Sequence, residues 1–135
     1  MEVDIALAPE MLTFRLGDQW PSWEEQRALR IQLIADGYLT KATRAIIDIR
    51  GAATPVSGAA HTVRAAPIDQ ALPFQRAYLV ASKVQFGFCR QMQLLATPNM
   101  QIEIFTDEQK ALDWLHQRGA EHGDDRDPAV RNRQA

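Results

Sequence analysis

Polar and apolar residues alternate from Glu2 to Leu7, with Val3, Ile5 and Leu7 on one side, and again from Met11 to Leu16 after the Ala8-Pro9-Glu10 break. A period of two is that of a strand with one buried face, so this stretch predicts a β-hairpin. Gly17 to Pro21 ends the second strand. Ser22 and Glu25 then have the spacing of a capping box for a helix through Ala35, with Leu29, Leu33 and Ile34 as its apolar stripe and Gly37 placed to end it. In Arg44 to Arg50 the run Ala45-Ile46-Ile47 predicts a strand buried on both faces, as in a parallel sheet. Small residues from Gly51 to Gly58 follow. A helix is expected from Ser57 or Gly58 through Val63, and Pro67 and Pro73 make the next segment irregular.

Arg76 to Ser82 predicts another buried strand. Phe86 to Ala96 predicts a helix with Phe88, Met92 and Leu95 on one face, closed by Pro98-Asn99. The stretch Gln101 to Leu115 reads as a strand at Ile102, Ile104 and Phe105, then a Thr106/Gln109 capping box, then a helix carrying Ala111, Leu112, Trp114 and Leu115. The order β-β-α-β-α-β-α-β-α implies an α/β fold in a single domain over residues 1–118, with a mixed, mainly parallel sheet of about five strands and four helices. After Gly119 large apolar residues nearly vanish, so residues 119–135 are expected to form a disordered charged tail.

Composition narrows function mainly by exclusion. The net charge of −2 is spread evenly: residues 1–118 carry 12 basic and 13 acidic side chains, and residues 119–135 carry 3 and 4. No basic face for nucleic acid is implied. The single Cys89 cannot form an internal disulfide, the N-terminus lacks a signal-peptide pattern, and no apolar run approaches the ~20 residues of a membrane span. The expectation is a soluble cytoplasmic protein. His61, His116 and His122 do not share a metal-ligand spacing, so neither a metal nor a cofactor is expected. Cys89 has no CxxC partner, no phosphatase-type Cys-x5-Arg and no neighbouring His, and reads as a structural thiol.

Two segments, RAIIDIRGA at Arg44 to Ala52 and QIEIFTDEQKALDWL at Gln101 to Leu115, resemble the SpoIIAA-like family of STAS domains. Members of this bacterial group commonly end in a strand, an FTD-type turn and a helix closing on Ala-x-x-Trp-Leu. The resemblance extends over residues 1–118 and implies a regulatory, protein-interacting domain without catalysis. Relatives in the STAS group that act as anti-sigma-factor antagonists carry a phosphorylatable Ser in an Asp-Ser-Ser/Thr-Gly motif after the strand matching Ile46 to Arg50. Here the corresponding stretch is Thr54-Pro55-Val56-Ser57-Gly58, which makes Ser57 a candidate phosphoacceptor but places Val56 where the acidic residue belongs. The broader fold group also includes Sec14-type lipid-exchange domains, so the resemblance admits small apolar ligands as well as protein partners.

In an open α/β sheet, ligands usually bind beside the loops that follow the carboxyl ends of parallel strands. That edge would gather Asp48, Arg50, Ser57, Ser82, Lys83 and Thr106, where helix N-termini and basic side chains favour an anion. Asp48, inside an apolar strand, would need a partner and could orient Arg50. Aromatic residues beside Pro21 and Gly87 suggest a pocket, with Trp23 and Phe86 as its markers and Ala65 to Phe74 as a flap. Two functions follow: a non-enzymatic interaction domain presenting its loop edge to a protein partner, or a carrier or sensor of a small apolar or lipid-like ligand held between sheet and helices. Strand Glu2 to Leu7 also offers an edge for pairing in a homodimer.

Overall fold

The structure, a computed structural model, describes residues 3–8, 11–55, 60–61, 63–65, 71–97 and 100–126. Five strands lie in one sheet in chain order: β1 (Val3–Ala8), β2 (Met11–Leu16), β3 (Arg44–Asp48), β4 (Gln75–Leu79) and β5 (Ile102–Phe105). β1 is an edge strand antiparallel to β2, and β2 through β5 pair in parallel. The helices are α1 (Trp23–Ala35), α2 (Lys83–Leu94) and α3 (Glu108–Arg126), with further helical residues at 60–61 and 63–65 in the β3–β4 crossover. This is the mixed α/β architecture expected from the order of elements, with four parallel strands and one antiparallel edge.

Three crossovers step the same way along the sheet, and a common hand then places their helices on one face. The core follows that rule. On one face Leu12, Phe14, Ala45 and Phe74 pack with Leu33 of α1, while Tyr78 and Ile102 pack with Phe88, Cys89 and Met92 of α2. α3, which follows the last strand, covers the opposite face with Ala111 and Leu115 against Ile46, Ala77 and Leu79.

Helix ends are set by named contacts. The Ser22/Glu25 capping box forms with both of its hydrogen bonds. α1 ends in a Schellman motif: Tyr38 N–H donates to Leu33 O at 2.9 Å, Gly37 N–H donates to Ile34 O at 3.1 Å, and Gly37 holds φ 79°. Three expectations about helix ends need correction. α2 begins at Lys83 rather than Phe86, because Ser82 Oγ accepts from Gln85 N–H at 3.1 Å. α3 is capped by Asp107 rather than Thr106: Asp107 Oδ1 accepts from the N–H groups of Gln109 and Lys110 at 2.8 and 3.3 Å. The backbone also stays helical through Arg126, where disorder was expected from residue 119. Gly119 and Gly123 each cost about 1 kcal/mol in a helix but do not break it.

Candidate functional site

The carboxyl edge of the parallel strands holds a closed ion-pair network. Parallel register sets Arg15 of β2 beside Asp48 of β3. Both lie on the α3 face, four residues on from Met11 and two on from Ile46, which pack against α3. Arg15 Nη1 donates to Asp48 Oδ2 at 2.7 Å, and the same guanidinium grips Glu108, the first residue of α3, through two bonds of 3.0 Å. Arg50 closes the ring: its Nε and Nη2 donate to the two Asp48 oxygens at 3.0 and 2.8 Å, and its backbone N–H donates to Oδ1 at 3.1 Å. A longer contact of 3.4 Å joins Arg50 Nη2 to Glu108.

Two cations and two carboxylates thus cancel. Burial pushes Asp48 upward, but the hydrogen bonds and charge of Arg50, with the bond from Arg15, hold its carboxyl below the usual range. The hydrogen bond from Arg15 outweighs burial at Glu108 and lowers it too. Arg50 therefore spends its donors on Asp48 and joins β2, β3 and α3, in place of the open anion receptor the sequence suggested. Ser82 caps α2, Lys83 and Thr106 are exposed, and Ser57 lies outside the described residues.

Gln85, which sequence reasoning passed over, is buried at this edge. Its Nε2 donates to the carbonyls of Ile49, Arg50 and Ala52 at 2.8, 3.2 and 3.0 Å, and its Oε1 accepts from Ala81 N–H at 2.7 Å. One amide ties the β3 loop to the start of α2. The Ser82-x-x-Gln85 spacing, identical to Ser22-x-x-Glu25, was the signal available for it.

The opposite face holds a cavity of about 150 Å³ between the sheet, α1 and the β3–β4 crossover. Phe14, Leu16, Ile47 and Tyr78 form its floor on the sheet, and Trp23, Leu29 and Leu33 of α1 form its roof. Trp20, His61, Ala65 and Phe74 also line it, and the space is open on one side. The rings make a continuous stack. Trp23 lies 4.5 Å from His61 at 20°, His61 meets Trp20 edge-on at 5.6 Å, and Trp20 meets Phe88 edge-on at 5.1 Å. Leu33 alone of the α1 residues is buried, so this helix covers the cavity more than it fills the core.

Gln26, Arg30, His61 and Arg76 are the polar members of this lining. The Trp20 Nε1–H is buried with no acceptor among the described residues, although a buried indole N–H usually finds one. Arg76, only 2% exposed, lays its guanidinium over the Phe74 ring at 3.9 Å. Outside the chamber, a second cleft of about 470 Å³ is lined by Trp23, Glu24, Gln26, Arg27, Arg30 and Arg64. Trp23, Gln26 and Arg30 line both spaces, and Arg64 stacks on Trp23 at 4.5 Å.

Of the two aromatic markers read from the sequence, Trp23 lines the cavity and Phe86 does not. Phe86 is 48% exposed, and Phe88 is the ring turned inward. Two positions along a helix rotate a side chain by about 200°, so only one of the pair can face the sheet. Cys89 is fully buried beside Phe88, and burial pushes its thiol up to about 12. Among the described residues, no His, Cys, Asp or Glu group of three or more is placed to hold a metal ion, and no helix is long and apolar enough to cross a membrane.

No protein-family model matches the chain, and no curated protein matches it. Among solved structures it is similar to an uncharacterised protein of the DUF3478 family from Shewanella loihica PV-4, which is described as having a SpoIIAA-like fold. The two share 21% sequence identity and a TM-score of 0.59 over 84% of this chain and 92% of that one. The chain has the SpoIIAA-like fold. At this identity the likeness carries the architecture and no activity.

Proposed function

We propose that this domain is a non-enzymatic binding module that holds a small amphipathic ligand between α1 and the sheet. The observation that carries the reading is the 150 Å³ cavity, in which Phe14, Trp20, Trp23, Phe74 and Tyr78 stand together with Gln26, Arg30 and Arg76. Ligand pockets are mostly apolar with a few placed polar groups, and this chamber has that composition. The loop edge is the weaker candidate for a ligand, since Arg15, Asp48, Arg50 and Glu108 there are bound to one another. Native mass spectrometry of the protein from its own host, under gentle and denaturing conditions, tests the proposal. A non-covalent adduct of low mass is expected, and Ala65→Phe, which places a ring in the cavity, should remove it. A ligand-free mass under gentle conditions counts against the reading.

A regulatory protein interaction at the loop edge is the second reading, and a specific observation favours it. Val84 and Phe86, 69% and 48% exposed, stand beside Lys83 in the first turn of α2 at that edge. The two side chains diverge by about 200° around the helix, so each stands singly, and Phe86 is of the aromatic type that anchors a docked partner. A photo-crosslinking residue at position 86 should capture one discrete partner in the host, while the same probe at exposed Asp113 on α3 should not. Equal labelling from both positions would remove this reading.

A further inference from the structure

The apolar cavity and the arginine cleft share a wall, and that wall describes a ligand with two halves. Trp23, Gln26, Arg27 and Arg30 recur at helical spacing on one side of α1, so they face the same space. Arg64 reaches that space from the crossover and lies on the outer ring of the stack. Among the described residues, the cleft is lined by the guanidinium groups of Arg27, Arg30 and Arg64 and by the carboxylate of Glu24, and Arg27 and Arg64 give it basic character. Beyond the shared wall, the lining becomes Phe14, Leu33, Ile47 and Tyr78.

Resting on the ligand-binding reading above, we infer that the ligand is a small anion with a compact apolar body: an aryl or short-chain acid whose ring or chain enters the cavity and whose carboxylate or phosphate lies against Arg27 and Arg64. Size supports the first half. An apolar space of about 150 Å³ accommodates a molecule of the size of benzene. Charge supports the second half, because guanidinium groups bind carboxylate and phosphate through paired, charge-assisted hydrogen bonds.

The test compares 4-fluorophenylacetate with 4-fluorophenylacetamide, which keep the same ring and differ in charge, by fluorine-19 line-broadening titration at pH 7 and low salt. The acid is expected to bind at least tenfold more tightly than the amide. Arg27→Glu, on an exposed site, and Arg64→Gln should each erase most of that preference while the urea unfolding midpoint stays in place. Including 4-fluorophenyl phosphate separates a phosphate ligand from a carboxylate one: whichever anion binds more tightly names the head group. Equal binding of acid and amide overturns the inference and leaves the pocket reading standing. An acid preference unchanged in both arginine variants overturns the assignment to this cleft. Binding of none of the three compounds overturns the aryl-anion inference, and the native-mass experiment then decides separately whether the pocket holds any ligand.

Discussion

Asp48→Asn should destabilise the domain by about 2 kcal/mol without touching the ligand cavity, which lies on the other face of the sheet. In the wild-type chain the two Asp48 oxygens accept four hydrogen bonds, three from guanidinium groups and one from the Arg50 backbone. Asparagine keeps one acceptor oxygen for Arg50 N and Nε, but it presents an NH2 donor to Arg15 Nη1 and Arg50 Nη2. Breaking a fully buried ion pair costs about 3–5 kcal/mol. Here the Arg15 and Arg50 side chains are 42% and 39% exposed, so solvent rescues part of their charge. Two charge-assisted bonds lost at about 1 kcal/mol each remain. With a urea m-value of about 2 kcal/mol/M, the midpoint should move by about 1 M. The pH dependence gives an independent reading. Asp48 and Glu108 are depressed in the folded state, so their stabilisation is complete above the ordinary carboxylate range near pH 4 and falls as pH drops through the folded values. Wild type and variant should therefore converge as pH falls from about 4 to 2, since a protonated Asp48 resembles Asn. A midpoint shift below about 0.3 M, or a gap that stays constant down to pH 2, would refute the account of this network.

Two other outcomes follow from single residues. Gln85→Leu removes the amide's bonds to three carbonyls and to Ala81 N–H in a buried position, and should cost about 2–3 kcal/mol in urea unfolding, whereas exposed Phe86→Ser one position on should cost under about 0.5 kcal/mol. Cys89, buried with its thiol pushed up to about 12, should react with an aromatic disulfide reagent at pH 8 only as fast as the domain opens, so its labelling rate should rise in step with urea.

The elements that were legible in the sequence are those with a local cause. β2 falls at Met11–Leu16 because its alternation needs no partner to be read, and α1 starts where the Ser22/Glu25 box and stops where Gly37 place it. The start of α2 was hidden because Gln85, a polar residue, turns inward to satisfy loop carbonyls, and its neighbours Phe86 and Gly87 obscure the helical stripe. The site was less legible than the fold for the same kind of reason. Arg15 meets Asp48 only through strand register, and Glu108 joins them from 93 positions along the chain. Trp23 was visible as an aromatic beside a proline. Its stacking on His61, and the arginine cleft outside it, depend on how the crossover packs over α1.

The claim that α1 roofs a ligand-sized chamber is tested most directly by nitrogen-15 spectra of the indole N–H groups during titration with benzene. Trp20 and Trp23 line the chamber, while Trp114 packs against Phe105 on the opposite face and serves as an internal control. The account predicts saturable shifts of the Trp20 and Trp23 resonances, an unmoved Trp114, and no response in Ala65→Phe. Three resonances that stay fixed, or that drift together without saturating, would contradict it.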